Sequence, residues 1–158
     1  MKKGAILSPG RQYRYQLWRI WDDEKPKVLF IMHNPSKADE DENDPTITRC
    51  INFAKSWGYG GIYVGNISPY IATKPAELNN VSESDLFPRS NILNILWMAE
   101  KCELHVLAYG VPHKKLKNWP VHTYDLNHVK FHAIHKTKHG YPGHPLYLKS
   151  SLKPIPFY

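Results

Sequence analysis

Short apolar runs alternate with amphipathic helical patterns along most of the chain. Tyr13 to Trp21 alternates polar with bulky side chains, the period-two pattern of a half-buried strand. Asp22-Asp23-Glu24-Lys25-Pro26 behind it has turn composition, which predicts a hairpin with the next run. That run, Lys27 to His33, is continuously apolar at its centre and reads as a strand buried on both faces, as in parallel sheets. Ile47, Cys50, Ile51, Ala54 and Trp57 recur at helical intervals between Asp44-Pro45 and Gly58, which predicts a capped helix over Thr46 to Trp57. Gly61 to Ile67 is the second buried strand, Ser90 to Cys102 the second helix, and Leu104 to Gly110 the third strand. A short Lys-rich helical or turn segment comes next, and either Val121 to Leu126 or Val129 to Ile134 supplies the fourth strand.

Strand and helix alternation of this kind predicts an α/β fold: a three-layer α/β/α sandwich with a central, mainly parallel four-stranded sheet and an added N-terminal antiparallel strand. In such sheets ligands bind at the carboxyl ends of the strands. The loops at those ends are therefore the candidate sites: His33-Asn34-Pro35-Ser36, Asn66-Ile67-Ser68-Pro69-Tyr70, Tyr109-Gly110, and Gly140-Tyr141-Pro142-Gly143-His144-Pro145.

Composition narrows the class. The 158 residues and 18.4 kDa suit one domain over 1–158, and 42% hydrophobic with 22% charged residues is a globular balance. Two cysteines, Cys50 and Cys102, are too few for a disulfide framework. With no apolar run of about 18 residues and no leader pattern, a reduced, soluble, cytoplasmic protein is expected. The formal charge is +7, and all of the excess lies beyond residue 100, where Lys side chains face only Glu103 and Asp125. Eight of the nine histidines lie there too. Such a surface attracts polyanions, nucleic acid foremost; a solubilising lysine face is the plainer alternative.

The strand-end loops carry the candidate chemistry. Pro35 stiffens the turn that carries Asn34, whose carboxamide can orient a water or ligand, although Asn-Pro-Ser is also an ordinary turn. Asn66 has the acceptor and two donors that read the edge of a heterocycle, or it caps a loop. His144 lies beside Gly140 and Gly143 in a loop that can approach a ligand closely, where its imidazole could stabilise a leaving anion. Asp44 combines a helix N-cap position with proximity to the Asn34 loop. The run Asp39 to Asp44 reads as a solvated loop or, with Asp39, Asp41 and Asp44, as magnesium ligands. The pairs His128/His132 and His135/His139 have zinc-like spacing, but residues four apart on a strand are about 13 Å apart, which disfavours a metal site.

Arg14-Tyr15-x-Leu-Trp, Ile31 to Asp39, Asn43 to Cys50, Trp57 to Gly61, Gly65-Asn66-Ile67 and Gly143 to Leu148 together resemble the domain-of-unknown-function family 1643 over about residues 13–149. More distantly, Asn34-Pro35, Asn66, Ala72 to Leu78 and His144-Pro145 are similar to motifs of the uracil-DNA glycosylase superfamily, with Met32, Ser36 and Leu146 departing from its pattern. The resemblance implies that fold and a DNA base N-glycosylase that flips its target nucleotide, acting as a monomer without metal or other cofactor. Asn34 and Asp44 would then hold the attacking water, and His144 would stabilise the departing base. Asn66, His33, Tyr70 and Tyr141 would contact the base, and Lys114, Lys115, Lys117, Lys136, Lys138 and Ser36 the DNA backbone. The alternatives are a non-catalytic nucleic-acid or nucleotide-binding module and a magnesium-dependent nucleotide-processing hydrolase.

Overall fold

The computed structural model describes residues 1–158, the side chain of Val121 excepted. Strands β1 (Lys2–Leu7), β2 (Arg14–Ile20), β3 (Lys27–Met32), β4 (Gly61–Asn66), β5 (Leu104–Leu107), β6 (His132–Ala133) and β7 (Ile155–Pro156) form one mixed seven-stranded sheet in the order β1-β2-β4-β3-β5-β6-β7. β3 runs parallel to β4 and β5, and β5 runs parallel to β6, while β1, β2 and β7 pair antiparallel. Helices α1 (Pro45–Ser56), α2 (Glu83–Leu86) and α3 (Arg89–Lys101) complete the regular structure with several 3-10 turns.

The apolar centre of β3 explains the layering. Val28, Leu29, Phe30 and Ile31 are all fully buried, because even-numbered residues meet one helix and odd-numbered residues the other. Val28, Phe30 and Met32 share a core with Ile47, Cys50, Ile51 and Ala54 of α1. Leu29 and Ile31 share a second core with Ile95, Met98 and Ala99 of α3. Gly65 permits the second contact: a Cβ there would come within 2.9 Å of Met98 Cε.

Two expectations need correction, and one open alternative is resolved. β2 does not form a hairpin with β3. Both edges of β3 are occupied by parallel partners, so β2 pairs with β4 on one side and with the unforeseen β1 on the other. The sheet has seven strands, not four and an addition. The fourth parallel strand comes from the Val129 to Ile134 segment, whereas Trp119–Leu126, with Pro120 at its start, is 3-10 helical; the Val121 side chain lies outside the described residues.

The acidic run is held from beneath by Arg19, which is fully buried in β2. Its Nε donates to Asn43 Oδ1 (2.7 Å), Nη1 to the carbonyls of Trp18 (2.8 Å) and Gly4 (3.3 Å), and Nη2 to those of Asp39 (2.6 Å) and Glu42 (3.1 Å). Arg19→Met would strand these acceptors, and a loss of about 2–3 kcal/mol in urea-unfolding stability is expected.

Candidate functional site

The crossover from β3 through α1 to β4 covers one face, and that from β4 through α3 to β5 covers the other. The chain therefore leaves β3 and β5 in different directions and opens a crevice at their carboxyl ends, the place where open α/β sheets bind ligands. There the structure has a cleft of about 370 Å³, within the range of small-molecule sites. Met32, His33, Asn34 and Ser36 enter it from the β3 loop, Asn66 from the end of β4, and Asp44 and Thr46 from the start of α1. His144, Leu146 and Tyr147 enter from the loop after β6. An adjoining hollow, which shares His33 and His144, extends the cleft past Tyr109 and Gly110.

Hydrogen bonds define the orientation of each group. The His113 backbone N–H donates to His33 Nε2 (2.9 Å), so that nitrogen is unprotonated and Nδ1–H donates to Asn34 Oδ1 (2.6 Å). Asn34 Nδ2 donates to the carbonyls of Ala72 (3.0 Å), Pro35 (3.1 Å) and Tyr70 (3.4 Å). The carboxamide is thus locked with its oxygen towards the imidazole, and that oxygen retains a second lone pair. His33, a candidate base contact in the sequence, lines the cleft with both ring nitrogens engaged within the protein, one of them on Asn34.

His144 caps the short turn Pro145–Tyr147, its Nδ1 accepting from the Leu146 N–H (3.3 Å). The neutral ring then carries its proton on Nε2. Gly110, at φ +68, allows the loop to come this close: its added Cβ would stand 3.4 Å from His144 Cβ. Arg49 of α1 clamps the same loop, donating to the carbonyls of Pro145 (3.3 Å) and Leu148. Asp44 caps α1 through Oδ1, which accepts from the Ile47 N–H (2.8 Å).

Two polar side chains at the floor carry buried atoms without partners. Asn66 is 1% exposed, and neither Oδ1 nor Nδ2 makes a hydrogen bond, while its backbone carbonyl accepts from Asn91 Nδ2 (2.9 Å). Leaving such a carboxamide unsatisfied costs about 1–3 kcal/mol per group, the kind of expense a binding site tolerates. Arg14 is 3% exposed; Nη1 donates to Ala38 O (2.8 Å), and Nε is buried without a partner. Burial pushes its guanidinium down to about 10, against the distant pull of Asp44, so it remains a cation at neutral pH. Arg14 and Arg49 escape a reading of the sequence as site residues. The one visible signal for Arg14 is a basic residue in a strand otherwise rich in bulky side chains.

Other expected contacts fall elsewhere. Tyr70 packs edge-on against Tyr13 outside the cleft, and Tyr141 lines a separate small hollow with Tyr109 and Trp119. Lys114, Lys117, Lys136 and Lys138 are exposed, whereas Lys115 donates to Val81 O (2.6 Å). In the acidic run, Asp39 Oδ1 accepts from the Asp41 (2.9 Å) and Glu42 (2.8 Å) N–H groups, and Glu40 pairs with Arg11 (3.0 Å). Among the described residues no three His, Cys, Asp or Glu side chains gather as a metal site would require.

Burial lowers the pKa of both His33 and His144, reinforced for His144 by His33 and opposed in part by Asp44. Above the ordinary imidazole value of about 6.5 both rings are neutral whether the chain is folded or unfolded, and their stability contribution is complete. Below it the unfolded chain takes up protons that the folded chain refuses, so stability falls as the pH drops from there towards the depressed values. Thermal unfolding between pH 7.5 and 5.5 should show this fall, reduced in His33→Asn.

A family model described as Protein of unknown function (DUF1643) matches residues 14–146, which carry every cleft residue named above except Tyr147. The chain belongs to that family. A comparison with curated proteins finds no match, and a comparison with solved structures finds none. Among the described residues no helix is long and apolar enough to cross a membrane.

Proposed function

We propose that this protein is a DNA base N-glycosylase on a uracil-DNA-glycosylase-like α/β/α scaffold, excising a modified or deaminated base from a flipped nucleotide. The observation that carries the reading is the meeting of Asn34, Asn66 and His144, from three separate loops, in one cleft whose floor carboxamide is unpartnered. Flipping costs a few kcal/mol of unstacking, which contacts in the pocket offset.

In the reaction, Asn34 Oδ1 accepts a hydrogen from a water and aims its oxygen at C1′ of the sugar. The C1′–N bond breaks with its electron pair going to the base, and the water oxygen bonds to C1′. The water's proton passes to the Asp44 carboxylate. His144 Nε2–H donates to the departing base anion, which then takes a proton from solvent. Asn66 reads the base edge. In place of Tyr70 and Tyr141, Tyr147, 85% exposed beside His144, offers the aromatic surface at the cleft mouth. Ser36 and the exposed lysines Lys114, Lys117, Lys136 and Lys138 hold the phosphate backbone, so binding weakens steeply with salt.

The test is incubation with oligonucleotides carrying uracil, hydroxymethyluracil or glycosylated bases in the presence of EDTA. Abasic sites are the expected product. Tight, salt-dependent binding without base release would favour the non-catalytic module, and activity only on added magnesium would favour the nucleotide hydrolase.

A further inference from the structure

We propose that the floor of the cleft recognises a ligand carrying an oxyanion, a carboxylate or phosphate, which forks onto Arg14 beside the group read by Asn66. The proposal rests on the reading of this cleft as a base or nucleotide site and names its substrate class.

Two buried arginines on one strand differ in how their donors are used. Arg14 and Arg19 both belong to β2 and are both almost wholly removed from solvent. Arg19 commits its guanidinium to the acidic loop and the strand carbonyls beside it, with every nitrogen hydrogen-bonded. Arg14 does not: Nη1 meets Ala38 O, Nε meets nothing, and no carboxylate stands within 4.0 Å among the described residues. A structural arginine has the first pattern, and a cation awaiting its counterion has the second. A guanidinium presents donors in a planar fork that fits carboxylate and phosphate oxygens two at a time.

Placement agrees with this assignment. β2 pairs antiparallel with β4 as far as Leu17 opposite Val64, and beyond that stretch Arg14 reaches the loop that follows β4 and Asn66. Its backbone N–H is fixed on Pro69 O (3.0 Å). Arg14 and Asn66 thus line the same cleft, both with unsatisfied buried atoms. A neutral base satisfies Asn66 and leaves the cation bare; a base bearing a carboxylate, or a nucleotide whose phosphate reaches the floor, satisfies both. Asp44 in the same cleft limits the anion to one group rather than a run of phosphates.

Calorimetry on the full chain with matched pairs tests it. 5-Carboxyuracil against its neutral carboxamide probes a substituent on the base, and uridine 5′-monophosphate against uridine probes a phosphate. The anionic member of one pair should bind at least about 10-fold more tightly, and Arg14→Gln should abolish that preference. Because the pairs are compared on the unaltered protein, the result survives a variant that fails to fold. Affinities within twofold in both pairs, no binding of any member, or a preference persisting in folded Arg14→Gln would overturn the proposal. Anion-selective, Arg14-dependent binding without base release would uphold it and defeat the glycosylase reading. Full-rate release of neutral bases by Arg14→Gln would do the reverse.

Discussion

Asn34→Ala is expected to slow base release by about 10³-fold in single-turnover assays on a labelled oligonucleotide. The variant removes the one acceptor at the cleft whose direction is imposed from every side, by His33 Nδ1 on the oxygen and by the Ala72 and Pro35 carbonyls on the nitrogen. Those carbonyls lose a donor, so a stability loss of about 1–3 kcal/mol accompanies the kinetic one and is measured separately by urea unfolding. Asn34→Asp separates the effects. It retains the shape but sets a carboxylate oxygen against the same carbonyls, so the group must turn away and activity falls with it. A rate within about tenfold of the parent in folded Asn34→Ala would remove Asn34 from the chemistry.

His144→Ala should slow release by about 10²–10³-fold, with the size of the loss depending on the leaving base. In the proposed mechanism the ring acts through Nε2–H on an anion, so its removal would matter less when the anion is already stable. The loss should be smaller for 5-fluorouracil than for uracil, a dependence that mere displacement of the loop would not produce. Burial favours the neutral form of His144, and the role proposed for it does not require an imidazolium. The rate should hold from pH 7 to near the ordinary histidine value and decline only at lower pH. There, protonation of His33 at Nε2 would expel the His113 N–H that orients the Asn34 partner.

The strand ends of this site are legible in the sequence because buried parallel strands are the strongest local signal, and the loops behind them must emerge at one rim. Asn34, Asn66 and His144 stand out on that ground. Residues whose role depends on direction do not. Tyr70 and Tyr141 lie in the right loops but turn towards Tyr13 and towards Trp119, which no local pattern specifies. Arg14 lies within a strand whose alternation suggests an outward polar side chain; a register shift opposite β1 and the backbone hydrogen bond to Pro69, just past the stretch where β2 pairs with β4, place it in the cleft. That pairing is itself hidden. The turn at residues 22–26 points to a local hairpin, whereas long-range parallel partners occupy both edges of β3. β1 escapes notice because half its residues face solvent, and β7 because two residues carry no period.

The most direct measurement quantifies free base and abasic strand together, by mass spectrometry, after the unaltered protein meets the modified oligonucleotides with EDTA present. A glycosylase built on Asn34 and His144 yields equal amounts of the two products from at least one substrate, both lost in Asn34→Ala and His144→Ala. Intact substrate across the panel, recovered bound and unchanged, would contradict it.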